Sequence, residues 1–396
     1  MTFERRVLIA MCALIFTNQL GFGAMVPSLP LYAETFGVSA TAIGMAIAVY
    51  GLARFALAMP SGWLSDNWGR QPALAIGGIL SAVGNFWSVF ADAYPEFLLA
   101  RFVAGAGAGM IVTTGAVVLA DITTPERRGR IISIYQGTFI FGVGIGPLPG
   151  GLLAELYGLS APFWFCGGAS VIASTVALFA VKETRHLARA KESKHGVRPT
   201  FVAQIRLLSK NTGFVLVSSI ALINALTRTG GLFNIIPIIG SFKLGLSVAE
   251  IGFGMALGSI LGLVATYPSG MIADRWGRKA VIVPVTIMTG TSFLLFLAAD
   301  SLTTFAGAFV LWGVASSIGG SAPAAYAADS APPGMNASAM SMFRMLGDIG
   351  YVVGPIALGY IVDVQGPDTA LILCTVLLVL IAAAFAKFAP ETYRVG

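Results

Sequence analysis

The chain has 396 residues, of which 56% are apolar and 11% charged, whereas soluble domains carry roughly 25% charged residues. That balance excludes a soluble domain and indicates an integral membrane protein. The formal net charge of +6 would suit nucleic acid, but the basic residues follow a membrane topology instead, so no nucleic-acid partner is expected.

Taken in order, the first apolar run covers residues 7–32. It opens as a signal peptide would, but runs on without a small-residue cleavage site and reads as a retained first span. Further runs at 41–63, 73–91, 96–119, 131–155 and 161–182 follow with short loops between them. Each is long enough, at ~1.5 Å per residue, to cross a ~30 Å hydrocarbon core. Residues 1–183 are therefore read as one bundle of six helices. Residues 184–211 turn basic and lose long apolar runs, which marks a cytoplasmic linker with a stretch suited to the anionic leaflet. The second bundle, 212–396, repeats the pattern at 212–240, 248–270, 280–299, 303–328, 337–362 and 369–388. The fold class expected is all-α, with twelve transmembrane helices in two pseudo-symmetric six-helix bundles.

Nineteen of the 24 Lys and Arg fall at the termini or in loops of one side, and the opposite side carries Lys243 alone. By the positive-inside rule both termini and the linker are cytoplasmic. The 48 glycines are read as packing surfaces, because small residues let membrane helices approach closely. Cys12, Cys166 and Cys374 lie within apolar runs and suggest neither a disulfide framework nor a metal site. Asn336-Ala337-Ser338 matches a glycosylation sequon, but on the cytoplasmic side it has no meaning.

One polar stretch occurs twice. Residues 62–74 read GWLSDNWGRQPAL and residues 270–282 read GMIADRWGRKAVI, 208 positions apart. The same offset carries Gly37 onto Gly245, Gly44 onto Gly252, Pro60-Ser61 onto Pro268-Ser269, Asp121 onto Asp329, Pro125 onto Pro333, and Gly146-Pro147 onto Gly354-Pro355. Register held over so many landmarks identifies a tandem duplication, the pattern of parallel-repeat transporters.

These stretches together resemble the major facilitator superfamily over the whole chain. The twin GxLxDxxGR stretches are similar to its signature between spans 2 and 3, with a degenerate copy between spans 8 and 9. Arg101-Phe-Val-Ala-Gly105-Ala-Gly107 resembles its span-4 motif, and Arg101 is kept as a proton-coupling candidate. Gly142-xxx-Gly146-Pro147-xx-Gly150-Gly151 matches the span-5 pattern of the antiporter branch, and Gly350-xxx-Gly354-Pro355-xxx-Gly359 is its partial echo. The opening GFGAMVPSLPLYAETFG is similar to the first span of twelve-span drug:proton antiporters.

The motifs also have physical readings. Asp66 and Arg70 are spaced i, i+4, and Gly69 permits the tight turn between them. With the 208-residue register, two equivalent cytoplasmic gate clusters are expected, Asp66/Arg70/Asp121 and Asp274/Arg278/Asp329. The bland alternative is a set of loop charges that only orients the chain. Pro147 and Pro355 each remove a backbone hydrogen bond and bend their helices. The glycines at i, i+4 and i+8 flatten one face for close packing, and the functional extension is that this face closes against solute leak.

The leading function is a secondary transporter exporting a small organic or drug-like solute by alternating access in exchange for protons. It is expected to work as a monomer in a bacterial cytoplasmic membrane and without a cofactor. The runner-up is a proton-coupled uptake symporter or facilitator for a neutral, zwitterionic or anionic metabolite. A non-transporting membrane sensor is a third class. No GxxxxGK[ST], HExxH or GxSxG-like stretch is present, and His186 and His195 both lie in the linker, so an enzyme is not expected.

By the resemblance, spans 1, 4, 7 and 10 line the cavity. That nominates Asn18, Gln19, Thr113, Thr114, Asn224, Arg228, Asn234 and Trp312, with Tyr351 in span 11. The alternative for the amides and threonines is hydrogen bonding between helices. Exporters of lipophilic cations in this family often carry an acid in span 1, where this chain has Thr17, Asn18 and Gln19. Arg228 falls near mid-membrane, where a charge costs ~2.5–3.5 kcal/mol on insertion scales, so a neutral oxygen-rich, zwitterionic or anionic substrate is expected. Asp348 is the one acid placed deep in a span and is the proton-carrier candidate. Arg54 lies at similar depth in span 2, which the superfamily places beside span 11, so an Arg54–Asp348 pair is expected. Arg344, one turn below Asp348, competes for it. An opposite charge lowers a carboxylate's pKa and desolvation raises it, so opening that pair would favour proton uptake.

Overall fold

A computed structural model describes residues 3–123, 125–186, 206–319, 322–332 and 335–392. Every regular element among the described residues is a helix. Among the described residues, eleven helices are long and apolar enough to cross a membrane, and a bent pair makes a twelfth. The spans are Phe3–Met25, Ala40–Ala56 with Ala58–Trp68, Arg70–Phe90, Tyr94–Ile122, Ile131–Tyr157, Ala161–Phe179, Thr212–Phe242, Val248–Ala265, Arg278–Ala298, Leu302–Asp329, Ser338–Gln365 and Pro367–Phe388. They are numbered 1 to 12 below.

Span 2 is bent by 43° between its two helices. Pro60 lies four residues beyond Ala56, so its ring displaces that carbonyl and no N–H answers it. The bend falls where that clash puts it. Span 5 is interrupted for one residue at Gly146, whose φ of −54° and ψ of −40° remain helical. Pro355 sits inside the unbroken helix Asn336–Gln365.

Span 7 departs from α geometry. Thr212–Leu226 is α-helical, Thr227–Ile235 is a π-helix, and Ile236–Phe242 is α-helical again. The amide of Ile236 bonds to the carbonyl of Gly231, five residues back. Pro237 brings no N–H to this turn, and Gly230-Gly231 offers the least resistance to widening it.

The chain divides into two compact units: Met1–Val38 with Met45–Gly196, and Ser39–Gly44 with Val197–Gly396. In the first, Met11, Leu14 and Ile15 of span 1 bury against Leu74, Ile111, Val118, Tyr135 and Ala177 of spans 3 to 6. A Cβ at Gly142 or Gly146 would meet the carbonyls of Phe16 and Leu20 at 3.0 and 2.6 Å, and one at Gly150 would overlap that of Ala24. The glycine face of span 5 is thus laid on the backbone of span 1. In the second unit, Phe214, Val217 and Ile220 of span 7 pack with Val281, Ile282, Tyr326 and Phe385. Gly350 and Gly354 of span 11 lie against the backbone of Leu222 and Leu226.

The first turn of span 2 belongs to the second unit. The carboxylate of Asp363, near the end of span 11, accepts the amides of Ala40 and Thr41 at 2.8 and 2.9 Å, and the Thr41 hydroxyl as well. These are N-terminal amides without partners inside their own helix, which an acid satisfies well.

Candidate functional site

Span 2 ends at Trp68, and Gly69 takes φ +113° and ψ 162°, a region closed to side-chain-bearing residues, before span 3 begins. This turn brings Arg70 back over the last residues of span 2. Its Nη1–H donates to Asp66 Oδ1 at 2.8 Å and to the Ser65 carbonyl at 2.9 Å, and Nε–H donates to Asp121 Oδ2 at 2.9 Å. The hydroxyl of Thr184 donates to the same Asp121 oxygen at 2.9 Å. Arg70 and Asp121 are buried, with side chains 4% and 7% exposed, while Asp66 is 68% exposed. The first predicted triad is brought together.

In the repeat, Gly277 has φ +95° and ψ 161°, so the turn is the same. Arg278 Nε reaches Asp329 Oδ2 at 3.6 Å, with side chains 20% and 40% exposed. The side chain of Asp274 lies outside the described residues. The second cluster keeps the Arg278–Asp329 pair but in a more open form.

Two residues not singled out from the sequence complete both turns. Glu183 Oε1 accepts the amide of Arg70 at 3.1 Å and Oε2 that of Gln71 at 3.2 Å. Glu391 Oε1 accepts the amide of Arg278 and Oε2 that of Lys279, both at 3.1 Å. The two glutamates stand in the same 208-residue register and cap equivalent helices. Burial pushes the Glu183 carboxyl upward, but the amides of Arg70, Arg185, Gln71 and Thr184 outweigh it and hold it below the ordinary carboxylate range.

Deeper in the first unit, Arg101 of span 4 is 1% exposed. Its guanidinium lies 4.6 Å from the Tyr50 ring centroid and 6.0 Å from that of Phe163. Nη1–H also points at Asn85 Oδ1 at 3.4 Å and Met25 Sδ at 3.7 Å. Aromatic faces suit a guanidinium better than an ammonium in such a setting. Arg54, half-buried, ends the first helix of span 2 in the same unit.

In the second unit Arg228 is exposed on the π-helix, whereas Thr227, Thr229, Gly230, Gly231, Leu232, Asn234 and Ile235 are buried. The Thr229 hydroxyl donates to the carbonyls of Ala225 and Tyr351, which ties the π-helix to span 11. Ser341, Arg344 and Asp348 are exposed at i, i+3 and i+7 of span 11 and form one polar stripe. Arg344 is thus one turn from Asp348, as expected.

Of the cavity candidates, Asn18, Gln19, Thr114, Asn234 and Tyr351 are buried, and Thr113, Asn224 and Trp312 are half-buried. Asn224 bonds back to Ile220 within its own helix. Asn18 Oδ1, Thr114 Oγ1 and Asn234 Oδ1 have no hydrogen-bond partner among the described residues. For these three atoms the helix-to-helix alternative finds no bond to support it, and buried polar atoms of this kind call for water or a solute.

A family model described as Major Facilitator Superfamily matches residues 11–242 and 217–395. An uncharacterized MFS-type transporter of Methanocaldococcus jannaschii is 26% identical over 89% of this chain and 90% of its own length. Multidrug resistance protein MdtL of Klebsiella pneumoniae is 26% identical over 74% of this chain and 71% of its own. Among solved structures, a bacterial homolog of the human lysosomal transporter Spinster, inward-facing and unoccupied, superposes with a TM-score of 0.79. It is 16% identical, covering 97% of this chain and 96% of that one. With twelve apolar spans, a duplicated signature turn and a matching family model, the chain belongs to the Major Facilitator Superfamily and is a multi-pass membrane transporter, not an enzyme.

Proposed function

We propose that this transporter exports a small organic solute by alternating access in exchange for protons. Asp348 is its proton carrier, and the Asp66/Arg70/Asp121 and Asp274/Arg278/Asp329 clusters are its cytoplasmic gate. The observation that carries the reading is Asp348 itself. It is an acid far from either end of a membrane helix, exposed on one stripe with Arg344. A carboxylate at that depth is costly unless it faces water or a cation, and it is the kind of group whose charge a changing environment can switch. Arg344, one turn away on the same helix, is a cation that can favour its ionised form. The outward direction is supported by the span-5 glycine pattern and by the likeness to MdtL, named as a multidrug resistance protein. The proposed location is a bacterial cytoplasmic membrane with both termini inside.

The test uses purified protein in liposomes under an imposed proton gradient, with internal pH read by a trapped dye across a panel of small organic solutes. Solute-dependent proton movement is expected. Asp348→Asn should abolish proton-driven transport and spare solute exchange. Full coupling in that variant would eliminate Asp348 as carrier and leave the Asp66/Asp121 cluster as the acidic route.

A further inference from the structure

The charge inventory of the span interiors is lopsided. Among the described residues, Arg54 and Arg101 lie there in the first unit, and Arg228 and Arg344 in the second, against the single acid Asp348. Every other acid on a described membrane helix stands within about one turn of a helix end. Asp348 can therefore offset one arginine and no more, so each unit is net positive at this depth on its own. A positive charge there is costly, and anything that enters from water and carries negative charge relieves the cost.

Arg228 is the member placed to meet such a solute. The widened turns of Thr227–Ile235 set Gly230 against the backbone of Gly354 and Gly231 against the ring of Phe293. Arg228 emerges on the other side as the one exposed residue of the π-helix, one turn beyond half-buried Asn224, with half-buried Phe233 roughly one π-turn further on. A guanidinium presents a planar fork of donors that matches a carboxylate in two parallel bonds. An amide below and an aromatic ring above would flank the rest of the solute.

We propose that Arg228 receives the carboxylate of an organic anion, so that the substrate class is carboxylate-bearing and lipophilic cations are rejected. This rests on the transporter reading for its biological use, but the local potential can be measured without transport. Cys166 and Cys374 are buried and Cys12 is half-buried, so Cys12→Ala with Asn224→Cys gives one reactive thiol beside Arg228. In membranes, its modification by an anionic sulfonatoethyl and a cationic trimethylammonioethyl methanethiosulfonate is compared, each rate divided by that of a free thiol. The anionic reagent should be favoured by about ten-fold, the order that one unit charge at this range produces. Arg228→Gln should collapse the preference, and Arg228→Lys should keep it.

A preference for the cationic reagent, or a preference unchanged by Arg228→Gln, overturns the proposal. If neither Asn224→Cys nor, as a second site, Phe233→Cys reacts with either reagent, the Arg228 face is not in water and the proposal fails again. For the substrate class, thermal unfolding is followed with small carboxylates and their matched amides and amines. At least one carboxylate should stabilise the protein more than its counterparts, and the effect should vanish in Arg228→Gln. Stabilisation by the amines in preference, or by no carboxylate, would sink the class. Anion preference at the thiol without solute-driven proton movement in liposomes would instead sink the export reading and leave this one standing.

Discussion

The two copies of the span-boundary turn share a backbone and differ in their charges. Both place a glycine at φ near +100° and both close with a glutamate that caps the following helix through two amides. In the first copy a buried arginine is gripped by Asp66 and Asp121 at 2.8 and 2.9 Å. In the second, Arg278 stands 3.6 Å from an Asp329 that is 40% exposed. Breaking a buried pair strands a charge and costs ~3–5 kcal/mol, whereas an exposed pair contributes ~0–1 kcal/mol. Duplication has thus kept the turn and its cap while burying the first arginine–aspartate pair more deeply than the second.

The largest expected effect follows directly. Arg70→Ala should lower stability by ~3–5 kcal/mol, because it removes the guanidinium that donates to the buried Asp121 carboxylate. Arg278→Ala should cost less, because Asp329 is 40% exposed and water can replace the guanidinium there. Thermal unfolding of the purified variants in one detergent checks both. Equal losses would mean that the two clusters are energetically alike and that the difference in burial is without consequence.

How much of this was legible in the sequence varies by residue, for physical reasons. The spans and the duplication were legible because apolar length and register are summed over many positions. Arg70 with Asp66 and Asp121 could be paired because the repeat supplied Arg278 and Asp329 as a second witness. Glu183 and Glu391 carried the same signal, a Glu-Thr pair in identical register, but each follows an apolar run where charge is ordinarily read as topology. Asp363 reaches amides more than 300 positions away, and nothing local announces that. The π-helix is a matter of hydrogen-bond register, which Gly230-Gly231 and Pro237 permit without specifying. For Arg228, depth followed from its place about midway along the 212–240 run, but exposure required the packing of its neighbours to be seen.

A smaller effect tests whether the turn itself is shared. Gly69 and Gly277 both occupy backbone that a side chain resists, and a Cβ at either would land on the capping glutamate's Oε2. Gly69→Ala and Gly277→Ala should each cost ~1–3 kcal/mol, and by similar amounts, unlike the arginine pair. A cost at Gly69 alone would place the asymmetry in the backbone and not in the charges.

The finest test uses acid. Glu183→Gln should cost ~0.5–2 kcal/mol near neutrality, the range for losing a helix cap, since glutamine offers one neutral acceptor oxygen where the carboxylate uses both of its own. Four backbone amides hold the folded Glu183 carboxyl below its ordinary value despite burial, while the unfolded group titrates at about 4.3. The folded state therefore binds this proton less readily than the unfolded state. The carboxylate's contribution is fully present above about pH 5 and is lost as pH falls through the folded value. The gap in unfolding temperature between wild type and Glu183→Gln should then stay constant from neutrality to about pH 5 and narrow below about pH 4. A gap that widens on acidification would mean that Glu183 caps span 3 as a neutral acid, and the charge complementarity assigned to this helix end would be wrong.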